Sequence, residues 1–124
     1  MNELLLYIGS GVIILWGIAH LIPTKSIVNG FGKISEDNKK IIKMEWAAEG
    51  LALCFIGALV LLVTLLAGYE AEAANIVYLA SAVMLLVMAL LTALTGARTS
   101  VVAIKICPAV KTIVAVLFIL GSVL

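Results

Sequence analysis

The chain has 124 residues, of which 65% are hydrophobic and only 12% charged, with a formal net charge of +1. Its mean hydropathy of +1.27 belongs to a chain dissolved in lipid: soluble domains carry about 45–50% apolar residues, and a water-soluble protein this small cannot cover so much apolar surface. A charge so near zero gives no nucleic-acid partner, and the length allows one domain.

Lipid permits only helices or a closed barrel, because each backbone N–H and C=O must find its partner within the protein. The apolar runs are long, unbroken and rich in Leu, Ala and Met, without the alternation of barrel strands. The expected fold is an all-α, up-down-up-down bundle of four transmembrane helices in one domain over residues 1–124. The helices are expected near 4–22, 36–67, 73–96 and 99–124, with a polar connection over 23–35.

The first run, Leu4 to Ile22, spans roughly 28 Å at the helical rise, close to the ~30 Å hydrocarbon core. Met1-Asn2-Glu3 lacks a basic signal-peptide start, so this run is read as a retained anchor. Gly9, Ser10, Gly11 and Gly17 offer small surfaces for a neighbouring helix, and Trp16 and His20 share a face. Pro23 to Gly30 predicts one or two turns of interfacial helix with Pro at its start and Asn-Gly at its stop. Phe31 lies between two glycines in a hinge that dips toward the interface. Ser35-Glu36-Asp37 reads as an N-cap with first-turn acids, so the second helix begins before the membrane does.

The second run carries Lys43-Met44-Glu45-Trp46-Ala47-Ala48-Glu49-Gly50 at its start, placing two carboxylates one turn apart on one face. Gly50, Cys54 and Ala58 form a small-residue seam. Gly68 to Glu72 is a short acidic turn, which predicts that the second and third helices are antiparallel neighbours. The third run is uncharged, and its Ser81, Thr92 and Thr95 can bond back to their own helix. The fourth, from Val101, carries Lys105, Pro108 and Lys111; a kink is expected at Pro108. Lys105 can snorkel to the near interface. Lys111 lies about 16 Å deep by helical rise, where an ammonium costs about 2.5–3.5 kcal/mol near the bilayer centre, so it must face a partner, a cavity or water. Cys54 and Cys107 lack metal-ligand or CxxC spacing and read as small packing residues.

All eight basic residues lie on or nearest the side of the first and third connections. The positive-inside rule then puts connections 23–40 and 97–100 in the cytoplasm and both termini outside a cell membrane. Lys25-Ser26-Ile27-Val28 and Thr99-Ser100-Val101-Val102 echo each other faintly, too briefly to establish duplication.

Ionisable groups inside a membrane are candidates for function because they are expensive to keep there. Here they are His20, Glu45, Glu49, Arg98, Lys105 and Lys111, all in the half nearest the basic connections. One reading is structural: Glu45, Glu49, Lys105, Lys111 and Arg98 form charge pairs that fix helix register. The other is a polar pocket for a small hydrophobic or cationic ligand, lined by Glu49, Glu45, His20, Trp16, Lys111 and Lys105, with Glu49 as proton acceptor or cation site. A single histidine cannot make a bis-histidine haem site within one chain, and His20, Glu45 and Glu49 have no metal-site signature; no metal or cofactor is implied. The aromatic belt accounts for Trp46 and Tyr69, which leaves Trp16 as the pocket aromatic.

Small multidrug transporters and fluoride channels have a similar length and helix number, but the first carry a key glutamate in helix one, and both commonly show weak charge bias. Neither pattern fits. The four-run plan, the polar His20-Leu21-Ile22-Pro23 end of the first helix and the basic third connection leading to a helix with Lys105, Pro108 and Lys111 resemble the DoxX-like group of small four-helix bacterial membrane proteins. That resemblance implies the bundle and no activity or site residue. The chain departs from the group in its long first connection and the Met44 to Gly50 motif. Three classes of function remain: a binding or transport module, with a homo-oligomer as one form; a membrane enzyme or redox subunit acting on lipid, quinone or isoprenoid, with His20 and Glu45 as acid–base groups; or an assembly subunit. No phosphate-cradling loop or nucleophile triad is legible.

Overall fold

The computed structural model describes residues 2–124. Five α-helices follow one another: α1 (Glu3–Leu21), α2 (Thr24–Asn29), α3 (Glu36–Leu66), α4 (Glu72–Leu94) and α5 (Val102–Val123), with a single 3-10 turn at Gly96–Arg98 before α5. Four of them, α1, α3, α4 and α5, are long and apolar enough to cross a membrane. The protein is an all-α four-helix bundle with no strand among the described residues.

Side-chain caps begin two of the helices. The Asn2 side chain accepts the Leu4 N–H at 3.2 Å, and Ser35 Oγ accepts the Asn38 N–H at 3.1 Å, each satisfying a donor that the first helical turn leaves free. With 31 residues, α3 is about 46 Å long, so its charged first turns project beyond an apolar core of ~30 Å. The α3–α4 turn uses Gly68 at φ +83°, a left-handed conformation that a Cβ disfavours. Short α2 occupies the segment read as interfacial.

The core is built from Leu6, Ile13, Leu53, Val60, Tyr78, Leu85, Val114 and Phe118, all fully buried. Outside it, Leu15, Phe55, Leu66 and Leu91 are among many large apolar side chains left exposed. So extensive an apolar exterior is stable in lipid and not in water.

The short turn at Gly68 makes α3 and α4 neighbours, as expected, but not the tightest pair. α1 packs mainly on α3, α4 mainly on α5, and α1 on α5, while α3 and α4 touch much less although only a short turn joins them. The reason is where the backbones can approach. A Cβ on Gly17 would meet Cys54 Sγ at 2.6 Å and the Gly50 carbonyl oxygen at 2.8 Å, so α1 and α3 lie almost backbone to backbone. The α3 seam runs through Gly50, Cys54 and Gly57; a Cβ on Gly57 would meet Ile13 Cγ2 at 2.7 Å and the Ser10 carbonyl oxygen at 2.9 Å. Ala58, expected on that seam, is displaced from its centre because two helical turns span seven residues more nearly than eight.

Near their turn, α3 and α4 are joined by the buried Thr64 Oγ1–Tyr78 Oη hydrogen bond of 2.8 Å. Toward the other end a cavity of about 420 Å³ separates them, lined by Glu45, Ala48 and Glu49 from α3 and by Met88, Leu91 and Thr92 from α4. The bundle is therefore tight at the end carrying Gly68 and open at the end carrying α2 and the 3-10 turn.

Candidate functional site

The candidate site lies at that open end. His20 sits in the last turn of α1. On α3, Trp46 and Glu49 are three residues apart and share a face. Lys111 comes from α5 and Thr92 from α4, so all four spanning helices contribute.

Lys111 is completely buried. Its Nζ donates a hydrogen bond to Glu49 Oε1, forming an ion pair, and another of 2.9 Å to Thr92 Oγ1. Thr92 Oγ1 itself donates to the Met88 carbonyl at 2.9 Å. Burying a lone ammonium is prohibitive, and a paired, hydrogen-bonded one is tolerable; Glu49 and Thr92 supply that compensation. Pro108, one turn before Lys111, has no N–H to donate to the Ile104 carbonyl, yet the helix continues through it.

The second carboxylate oxygen of Glu49 faces His20, with Oε2 3.4 Å from His20 Nε2. The pair does not meet hydrogen-bond geometry, and Nε2 is buried with no hydrogen-bond partner among the described residues. The His20 ring stacks on Trp46, centroids 4.0 Å apart and planes within 15°. The Trp46 indole N–H donates to the His20 carbonyl at 2.7 Å, closing one of the acceptors that the end of α1 leaves free. On the far side, the Trp16 indole N–H donates to Cys107 Sγ at 3.2 Å.

These groups wall a cavity of about 170 Å³, with Trp16, His20, Trp46, Glu49, Thr92 and Cys107 among its lining residues. A larger groove of about 760 Å³ lies beneath α2 and the first connection, where Ser26, Ile27 and Phe31 face Ile42, Glu45 and Val101. Trp46, Glu49 and Ile104 line this groove, the inner cavity and the α3–α4 cleft alike. Glu49 is the carboxylate on which all three spaces converge.

Comparison with protein-family models, curated proteins and solved structures finds no match. The site is therefore read from its own chemistry.

The structure brings together Glu49, His20, Trp16 and Lys111 of the residues singled out from the sequence. Lys111 acts from behind Glu49 and is not among the residues lining the three cavities. Glu45 lines the two outer spaces but not the inner one, so the carboxylate beside His20 is Glu49. Glu45, Arg98 and Lys105 are at least partly exposed, and none of the three forms an ion pair among the described residues. The expected neutral cluster is narrower: one carboxylate, one ammonium and one imidazole. No grouping of three or more His, Cys, Asp or Glu side chains suited to a metal ion is found among the described residues.

Three contributors lie outside the set chosen from the sequence. Trp46, assigned to the interface, is half-buried against His20. Its i, i+3 spacing from Glu49 was the available signal. Thr92 does bond back to its own helix, as a threonine can without any function, and it also receives Lys111. Cys107 is an acceptor for Trp16 as well as a small packing residue. The sequence carries no signal for either, since each role depends on a residue in another helix.

Proposed function

We propose that this protein is a membrane-embedded binding protein for a small, largely apolar ligand held in the cavity beside Glu49. The observation that carries the reading is that cavity of about 170 Å³, lined by two tryptophans, His20 and Glu49. Small-molecule sites combine mostly apolar walls with a few placed polar groups in this way. The Glu49–Lys111 pair weighs against a cationic ligand. Lys111 already balances the Glu49 charge, and a second cation would have to displace an ammonium that has nowhere else to go.

In the same reading, the open end of the bundle faces the cytoplasm and both termini face outward, because all eight Lys and Arg lie on or nearest that end. A ligand dissolved in the inner leaflet then reaches the site sideways through the α3–α4 cleft or from below α2.

Native mass spectrometry of the protein released from mild detergent tests the proposal. The expected result is one bound small molecule per chain, lost in Ala19→Trp; Ala19 lines the cavity from an exposed position, where a larger side chain blocks the site without entering the core. Wild-type protein that remains bare after incubation with an inner-membrane lipid extract, or an adduct retained by Ala19→Trp, would overturn it.

A further inference from the structure

The groove of about 760 Å³ beneath α2 combines apolar walls with a carboxylate that has no ion-pair partner among the described residues. Phe31, Ile41 and Val101 line it and are 55%, 52% and 38% exposed. The carboxylate is Glu45, also exposed. The second carboxylate lining the groove, Glu49, is already balanced by Lys111. A cation at Glu45 displaces no resident ammonium, unlike one at Glu49.

Depth adds a second constraint. α3 ends at Leu66, and a hydrocarbon core of ~30 Å takes about 20 helical residues, so its inner boundary falls near Ala47. Glu45 then stands in the headgroup layer, about half a turn beyond the hydrocarbon, and Ile41 lies one turn further out. Apolar side chains exposed at that level are stabilised by covering them with apolar matter and not with water. The lipids of the surrounding leaflet bring headgroups and the tops of their chains to the same level.

The chemistry of the lining selects among headgroups. An ionised carboxylate only accepts hydrogen bonds, and a primary ammonium offers three donors with the opposite charge. A quaternary ammonium has no N–H and is held by aromatic faces; the aromatics lining the groove are Phe31 and Trp46, and one face of Trp46 is taken by the His20 ring. A purely anionic headgroup would meet Glu45 and Glu49 and no lining Lys or Arg. Cations do adjoin the groove: Lys25, Arg98 and Lys105 neighbour the lining residues Ser26, Thr99 and Ile104 in sequence, are exposed, and form no ion pair among the described residues. They suit a phosphate at the rim. We propose that the groove beneath α2 binds an ethanolamine phospholipid of the surrounding leaflet, with its ammonium on Glu45, its phosphate toward the cationic rim and the top of its acyl chains against Phe31, Ile41 and Val101. This site is separate from the inner cavity and does not rest on the reading given to it.

The test incubates the full chain in mild detergent at low salt with equimolar dioleoyl phosphatidylethanolamine, phosphatidylcholine and phosphatidylglycerol, and reads the bound lipid by native mass spectrometry. The ethanolamine lipid should be retained at least about threefold over each of the others, as one partly solvated ion pair supplies. Glu45→Gln should abolish that preference, while Glu70→Gln, an exposed carboxylate beyond the other end of α3, should keep it. Equal retention of the ethanolamine and choline lipids by the wild type would overturn the proposal, and so would strongest retention of the glycerol lipid, which would make the cationic rim the binding element. A preference that survives Glu45→Gln would overturn the assignment to that residue. The wild-type comparison needs no variant, so a folding defect cannot obscure it. Run in a Glu45→Gln background, the mass test of the inner cavity reads that cavity alone, so failure of one site does not hide the other.

Discussion

Breaking the Glu49–Lys111 pair from its two sides should have unequal effects. In Glu49→Gln the ammonium of Lys111 stays in place, fully buried, with only neutral acceptors around it, Thr92 Oγ1 and the glutamine amide oxygen. Leaving one member of a buried pair uncompensated costs about 3–5 kcal/mol. In Lys111→Met the stranded group is the Glu49 carboxylate, whose side chain is 31% exposed and borders three cavities. In the proposed orientation the open end of the bundle admits water to it, and Met fills most of the space vacated by the lysine stem. We expect a smaller loss, about 1–2 kcal/mol. The double variant Glu49→Gln/Lys111→Met removes both charges and should recover most of the Glu49→Gln deficit, because a pair replaced by neutral groups of similar volume is close to neutral in energy. Reversible unfolding in mixed micelles, followed by helical circular dichroism, measures all four proteins as a double-mutant cycle. If Lys111→Met is as damaging as Glu49→Gln, or the double variant loses the sum of the singles, the buried ammonium is not what makes this pair necessary.

Three further outcomes follow from the packing and the charge distribution. Gly17→Ala forces a methyl onto Cys54 Sγ and the Gly50 carbonyl and should cost about 1–3 kcal/mol by overpacking; Gly11→Ala, whose Cβ meets nothing within 4 Å, should be neutral, and equal losses in the same micelle assay would refute the seam. In Tyr78→Phe the buried bond to Thr64 is lost, but Thr64 keeps its bond to the Val60 carbonyl, so the cost should be about 1 kcal/mol, and a loss above about 3 kcal/mol would show that Tyr78 does more than pin α4 to α3. For orientation, cysteines introduced at Lys33 and Glu70 in a background with both native cysteines changed to serine should react from opposite sides of the membrane, Glu70→Cys with an impermeant maleimide applied to intact cells and Lys33→Cys only after lysis; the reverse pattern would invert the proposed topology.

Much of the architecture was legible in the chain. The number of spanning helices follows from run length against bilayer thickness, the Ser35 cap from a hydroxyl followed by acids, and the short helix of the first connection from Pro23 and the Asn29-Gly30 stop. The sequence also showed that Lys111 lies too deep to escape to water and so requires a partner. These are properties of one segment and its solvent, and they do not depend on which segment lies alongside. Lipid makes them unusually firm, since no spanning segment of this kind has an alternative to the helix.

What only the tertiary structure decided is which residues meet. Glu45 and Glu49 were both candidate partners for Lys105 and Lys111, with Glu49 singled out as the proton acceptor or cation site. The bundle turns Glu49 inward to Lys111 and leaves Glu45 on the outer side, with Lys105 exposed. The short turn at Gly68 does make α3 and α4 neighbours, but glycines at 17, 50 and 57 bring α3 closer onto α1, and the resulting cleft exposes Glu49. Trp46 became a wall of the site for the same reason: close approach of α1 brings His20 over its ring. Helix periodicity says which residues of one helix share a face. The rotation of that face within the bundle is set by where two backbones can come closest, and that is a property of pairs of helices that no single run records.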